Sequence, residues 1–265
     1  MSTYHHHFTH DGLRLAYLDH PPRAVPGAVA HGTPILLIHG FASNIQVNWV
    51  NTLWVRNLVD AGYRVLAIEN RGHGASDKAY APADYAVAKM AADARALLDH
   101  LAIPRAILMG YSMGARIATR LAVDSPARVP ALVLGGLGIH LVEGVGIPLG
   151  IAEALEAKDA STITEPIAQM FRQFAEANRQ DLRALAACIR GSRDLIAREE
   201  ISALSVPTLI AVGTDDDIAG APEPLAALMP DAEVFTIQGR DHNRAVGDRT
   251  HRAAVLAFLA RVCGV

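Results

Sequence analysis

The stretch Ala106-Ile107-Leu108-Met109-Gly110-Tyr111-Ser112-Met113-Gly114-Ala115 decides the fold. Its first four residues are apolar without a polar break, the mark of a strand covered on both faces. Gly110-Tyr111-Ser112-Met113-Gly114 then turns the chain into a helix whose apolar residues, Ile117 and Leu121, recur at helical spacing. A nucleophile on such a sharp strand-to-helix turn is held in strained backbone geometry with its hydroxyl exposed. Glycine is needed at 110 and 114, because side chains there would collide with the neighbouring strand and helix. Ser112 is then at a helix N-terminus, where the dipole favours developing negative charge.

Working outward, the same pattern repeats. Ile35–Ile38 ends at His39-Gly40, and Arg64–Ile68 ends at Glu69-Asn70-Arg71-Gly72. Ala131–Leu134 ends at Gly135-Gly136, Thr208–Val212 at Gly213, and Glu233–Ile237 near Gly239. Helical stripes lie between them, as in Val87, Met90, Ala91, Ala94, Leu97, Leu98 and Leu101, and Val255, Leu256, Leu259 and Val262 close the chain. This alternation predicts an α/β fold, a mostly parallel central sheet with helices on both faces. Tyr4–Phe8 and Leu13–Leu18 flank the turn signal His10-Asp11-Gly12 and read as an antiparallel hairpin at one edge. His5, His6 and His7 alternate faces on that first strand, which is poor metal geometry.

One segment, 142–205, has helical stripes only. Ile163, Ile167, Met170, Phe171 and Phe174 form one, started by Thr164-Glu165-Pro166, and Leu182, Leu185, Ala186 and Ile189 form another. The segment is too short for a core of its own. It reads as a small helical cap, 142–205, inserted into a single core domain made of 1–141 and 206–265. Ile147, Ile151, Met170, Phe171 and Phe174 would give that cap an apolar pocket.

Composition narrows the function classes. The chain has 265 residues, of which 51% are hydrophobic and 19% charged, which excludes a disordered chain. A formal charge of −3 offers no general attraction to nucleic acid or an anionic membrane. No apolar run approaches the ~20 residues of a membrane span. The N-terminus lacks a basic region followed by an apolar core, so no signal peptide is read there. Two cysteines, Cys188 and Cys263, make no disulfide framework and suit a reducing compartment. The expectation is a cytoplasmic protein acting on a small molecule, with its oligomeric state left open. No cofactor or metal is expected: there is no P-loop, Gly72-His73-Gly74 and Gly136-Leu137-Gly138 fail the dinucleotide pattern, and no zinc-ligand spacing occurs.

A serine hydroxyl needs a base to take its proton. His242, in Gly239-Arg240-Asp241-His242-Asn243, follows the last strand, whereas His100 and His251 lie in helical stripes and His20 in an early loop. The base in turn needs a carboxylate to fix its tautomer. Asp215, Asp216 and Asp217 all follow a buried strand, and Asp241 adjoins the histidine, so the residues alone leave four candidates. The loop at His39-Gly40-Phe41 can lend a backbone N–H to an oxyanion, with the N–H of Met113 as second donor.

The sequence resembles the α/β-hydrolase superfamily, of the esterase, lipase and C–C hydrolase kind. The matching segments are Asp11-Gly12, His39-Gly40-Phe41, Arg71-Gly72-His73-Gly74-Ala75-Ser76, Gly110–Gly114 and the pair Asp216…His242, in that order. The resemblance implies that Ser112 is the nucleophile, His242 the base, and Phe41 and Met113 the oxyanion donors. It selects Asp216 as the acid, three residues after the strand-ending Gly213, and gives Arg71–Ser76 a structural role. Two positions depart from the family's habit: Glu69 stands where relatives often have Asp, and Asp241 where the histidine loop usually has Gly. The activity implied is cleavage of carboxylic esters of small or medium acyl groups. The alternatives are a C–C bond hydrolase, a perhydrolase or cofactor-free haloperoxidase, or a non-catalytic receptor on this scaffold. Serine rather than aspartate at the elbow speaks against a dehalogenase or ordinary epoxide hydrolase.

Overall fold

A computed structural model describes residues 6–23, 31–144 and 150–263. Along the chain run β1 (His6–His10), β2 (Leu13–His20), β3 (Ile35–Ile38), α1 (Trp54–Asp60), β4 (Val65–Ile68), α2 (Val87–His100), β5 (Ile107–Tyr111) and α3 (Met113–Asp124). Then come β6 (Leu132–Gly135), α4 (His140–Glu143), α5 (Gly150–Glu156), α6 (Pro166–Ala177), α7 (Leu182–Gly191) and α8 (Arg198–Ser202). The chain closes with β7 (Thr208–Gly213), α9 (Pro222–Ala226), β8 (Ala232–Ile237), α10 (His242–Ala245) and α11 (Arg249–Cys263).

The strands form one sheet in the order β1-β2-β4-β3-β5-β6-β7-β8. β1 and β2 pair antiparallel around the Asp11-Gly12 turn, and β2 pairs antiparallel with β4. From β4 to β8 every pairing is parallel. Side chains alternate across each strand, as the pleat demands. Leu36, Ile38, Leu66, Ile68, Leu108, Leu132 and Leu134 face the side packed by α2 and α3. Ile35, Leu37, Val65, Ala67, Ile107, Met109 and Val133 face the other side, where Trp54, Leu58, Val255, Phe258 and Leu259 of α1 and α11 cover them. Both faces are covered, so the central strands carry no polar alternation. This is the expected α/β architecture.

Two local readings differ. β1 runs His6–His10 rather than Tyr4–Phe8, and Tyr4 and His5 lie outside the described residues. His20 is the last residue of β2, held in the ladder with β4, and is not in a loop. Between β3 and β4 a π-helical turn at Gln46–Val50 precedes α1, and Trp49 and Trp54 are both buried there.

The strand order places the site. The chain steps from β3 outward to β4, then crosses back to β5 on the other side of β3. At such a reversal the loops leaving the carboxyl ends of neighbouring strands diverge and leave a crevice. Gly40–Ser43 leaves β3 and Ser112 leaves β5 at that point.

Candidate active site

Ser112 joins β5 to α3 with φ 55° and ψ −117°, a conformation that L side chains rarely adopt. Its N–H donates to the Gly135 carbonyl on β6 at 2.8 Å, which pins the turn to the sheet. The flanking glycines are sterically obligatory. A Cβ on Gly114 would stand 1.9 Å from the Ile38 carbonyl oxygen, and one on Gly110 would stand 2.2 Å from that of Gly114. Close approach of α3 to β3 is what lifts Ser112 into the crevice.

His242 begins the short helix α10. Its Nε2 lies 3.0 Å from Ser112 Oγ, and its Nδ1 lies 2.8 Å from Asp216 Oδ2. A carboxylate only accepts, so Nδ1 carries the hydrogen and Nε2 is left to accept from the Ser112 hydroxyl. The Asp216 side chain is fully buried, and its other oxygen accepts the N–H groups of Ile218 and Ala219. The remaining carboxylates face elsewhere. Asp215 accepts from the Thr214 hydroxyl, and Asp217 is exposed. Asp241 caps α10, taking the N–H groups of Asn243 and Arg244. The Tyr111 hydroxyl donates to the His242 carbonyl at 2.6 Å. Burial, and then the charges of Asp216 and Asp241, push that phenol well above its ordinary range, so it stays a donor.

The loop after β3 is held by side chains from three directions. Asn48 Oδ1 accepts the Gly40 N–H at 3.1 Å. His73 Nε2 accepts the Ala42 N–H at 3.2 Å, and Ala42 has a positive φ of 57°. Glu69 accepts from Ile45 N–H and Ala75 N–H, so its extra methylene lets one carboxylate bridge two loops. Among the described residues, neither the Phe41 N–H nor the Met113 N–H has a protein acceptor. For Met113, first residue of α3, this is the ordinary state of a helix N-terminus.

His73 can hold Ala42 only while Nε2 is unprotonated. Burial, and then the nearby His39, push its pKa down to about 3, and burial pushes that of His251 down to about 4. An unfolded chain takes up these protons below about 6.5, whereas the folded chain resists them down to about 4 and 3. Stability is therefore complete above about pH 6.5 and is lost as pH falls toward those values, by at most ~1.4 kcal/mol per pH unit for each histidine. Urea midpoints measured from pH 7 to 5 should fall, and His251→Gln should flatten the fall. Midpoints independent of pH over that range would contradict this.

Two cavities meet at Ser112. The larger, about 190 Å³, is walled by Phe41, Val47, Asn48, Phe171, Phe174 and His242 among others. The smaller, about 30 Å³, is walled by Phe41, Met113, Arg116, Leu137, Ile189 and Ser192 among others. Of the residues expected to form an apolar pocket, Met170, Phe171 and Phe174 line the larger cavity. Ile151 is buried in the core instead, and Ile147 lies outside the described residues. Cys188 of α7 reaches Met113, Sγ to Sδ 3.7 Å, and both Cys188 and Cys263 are free thiols. Among the described residues no group of three or more His, Cys, Asp or Glu side chains could hold a metal ion, and no helix is long and apolar enough to cross a membrane.

The model for the alpha/beta hydrolase fold matches residues 33–141. YisY of Bacillus subtilis, an AB hydrolase superfamily protein, is 31% identical over 212 residues, 72% of this chain and 77% of that protein. The chain belongs to the α/β-hydrolase superfamily. A second relative that bears the name of a carbamate hydrolase, RutD of Variovorax paradoxus, is 30% identical over 260 residues, 88% of this chain and 94% of that protein. The crystal structure of a hydrolase from Pseudomonas aeruginosa superposes with a TM-score of 0.76 at 25% identity, covering 100% of both chains. Both of these last two proteins bear the name of a hydrolase, and this chain has the α/β-hydrolase fold.

Asn48, Tyr111 and Arg116 line the cavities at Ser112 but were not among the residues expected there. Asn48 is on the irregular π-helical turn, and no spacing marks it. Tyr111 and Arg116 lie within and just after the elbow, where the pattern constrains only Gly110, Ser112 and Gly114.

Proposed function

We propose that the protein is a serine hydrolase of carboxylic esters with small or medium acyl groups. Ser112 Oγ attacks the ester carbonyl carbon as its proton passes to His242 Nε2. Asp216 keeps the imidazole in the right tautomer and stabilises the imidazolium. The N–H groups of Phe41 and Met113 receive the oxyanion, both being free of protein acceptors. His242 returns the proton to the leaving oxygen, and an acyl-Ser112 ester remains. Water, deprotonated by His242, then releases the acid and restores the serine.

The carrying observation is the unbroken chain Ser112–His242–Asp216 at 3.0 and 2.8 Å, opening on an apolar cavity. We take residues 142–205 as the cap, because its Met170, Phe171 and Phe174 line that cavity. Turnover of p-nitrophenyl acetate should exceed buffer hydrolysis. EDTA should leave it unchanged. Absence of turnover, or loss with EDTA that a divalent ion restores, would refute this reading.

A further inference from the structure

The two cavities flank Ser112 unequally, in size and in what walls them. The proton that His242 takes from Ser112 goes to the leaving oxygen, so the leaving group must lie on the side of His242. The larger cavity is bounded by His242, Asn243 and Val246. The smaller is not bounded by His242 and opens from Ser112 beside Phe41 and Met113, whose amides would hold the oxyanion. On the reading of the site proposed above, we infer that the small cavity receives the acyl substituent and the large one the leaving group. The enzyme is thus specific for esters of short acyl groups with bulky apolar alcohols.

Size sets the limit. One water needs about 10–15 Å³ of such space, so about 30 Å³ admits two or three heavy atoms beyond the carbonyl, an acyl group of about two to four carbons. The larger cavity, at about 190 Å³, takes several times as many, and Val47, Phe171, Phe174 and Val246 suit an apolar or aromatic group.

The small cavity cannot stretch cheaply. Leu137 and Ile189 are both buried in the main core. Arg116 is only 2% exposed, and its guanidinium donates to the carbonyls of His140, Leu141 and Asp194 at 2.7–3.1 Å. It is tied to backbone and cannot swing aside. Burial lowers its pKa to about 10, which still leaves it a cation at neutral pH. A longer alkyl chain would have to press against this cation and strip what hydration it has, at a cost no apolar contact offsets.

Two isomeric esters test the assignment without help from intrinsic reactivity. 1-Naphthylmethyl acetate puts the bulk in the alcohol, methyl 1-naphthylacetate puts it in the acyl group, and both expel a primary alkoxide. The acetate is expected to have the higher kcat/KM by at least ~100-fold, a difference that steric exclusion from a rigid pocket can supply. 1-Naphthylmethyl octanoate should fall behind the acetate by a similar factor. Ile189→Ala, or Leu137→Ala should that variant not fold, should raise the octanoate relative to the acetate by about tenfold. Equal rates for the two isomers, or the reverse order, with turnover that vanishes in Ser112→Ala, would overturn the assignment and leave the serine mechanism standing. Turnover of neither isomer would overturn both.

Discussion

Replacing Ser112 with alanine is expected to lower kcat for ester hydrolysis by at least ~10⁴-fold, in line with the cost of losing a triad nucleophile. The fold should survive. The hydroxyl's hydrogen bond is to His242, and alanine tolerates the positive φ no worse than serine does. The N–H of residue 112 would still donate to Gly135. Thermal unfolding should therefore shift by only a few degrees, roughly the effect of ~1 kcal/mol in a domain of this size. With the oxyanion amides and the cavity intact, the variant should still bind substrate, so kcat should carry the loss rather than KM. A loss of tenfold or less would mean that another group is the nucleophile.

The second large effect concerns the carboxylate behind His242. Asp216→Asn should cost up to ~10⁴ in kcat/KM, because an amide that donates to Nδ1 reverses the tautomer and leaves Nε2 protonated and unable to accept. The buried oxygen that takes the Ile218 and Ala219 N–H groups can remain an oxygen in asparagine, so the loop should hold. Asp215→Asn and Asp217→Asn should each cost less than about tenfold, roughly 1.4 kcal/mol of barrier, since both side chains are turned away from the ring. Asp241→Asn should behave alike, because asparagine also caps a helix. The comparison is kcat/KM for the four single variants on one ester. If Asp215, Asp217 or Asp241 proves the costliest, the acid is not Asp216, though the serine mechanism would survive.

How far the sequence could be read follows from which constraints are local. The central strands were legible because burial on both faces leaves runs such as Ile35–Ile38 and Ala131–Leu134 without polar residues. The elbow was legible because contacts of about 2 Å leave Gly110 and Gly114 no alternative. The choice among four neighbouring carboxylates was different. Only three dimensions show that Asp241 is spent on capping α10 while Asp216 reaches the ring, so the residues alone left the matter open. The π-helical turn at Gln46–Val50 was illegible for a related reason. Its form answers the burial of Trp49 and Trp54 against distant parts of the chain, including the Val246 carbonyl that accepts from Trp54. Asn48 is carried on that turn, and so its contact with the Gly40 N–H could not be foreseen. Glu69 looked like a departure from habit, and in the fold its length lets it reach both Ile45 and Ala75.

The most direct measurement is covalent. A fluorophosphonate reacts with a serine whose hydroxyl a neighbouring imidazole activates, and its phosphonyl group mimics the tetrahedral species that the amides of Phe41 and Met113 would hold. The native protein is treated at neutral pH, digested, and its peptides mapped by mass spectrometry. The expected result is one adduct per chain, on Ser112, formed in step with the loss of esterase activity and absent in Ser112→Ala and after denaturation. An adduct on another residue, or full inactivation with Ser112 unmodified, would contradict the assignment of Ser112 as the nucleophile.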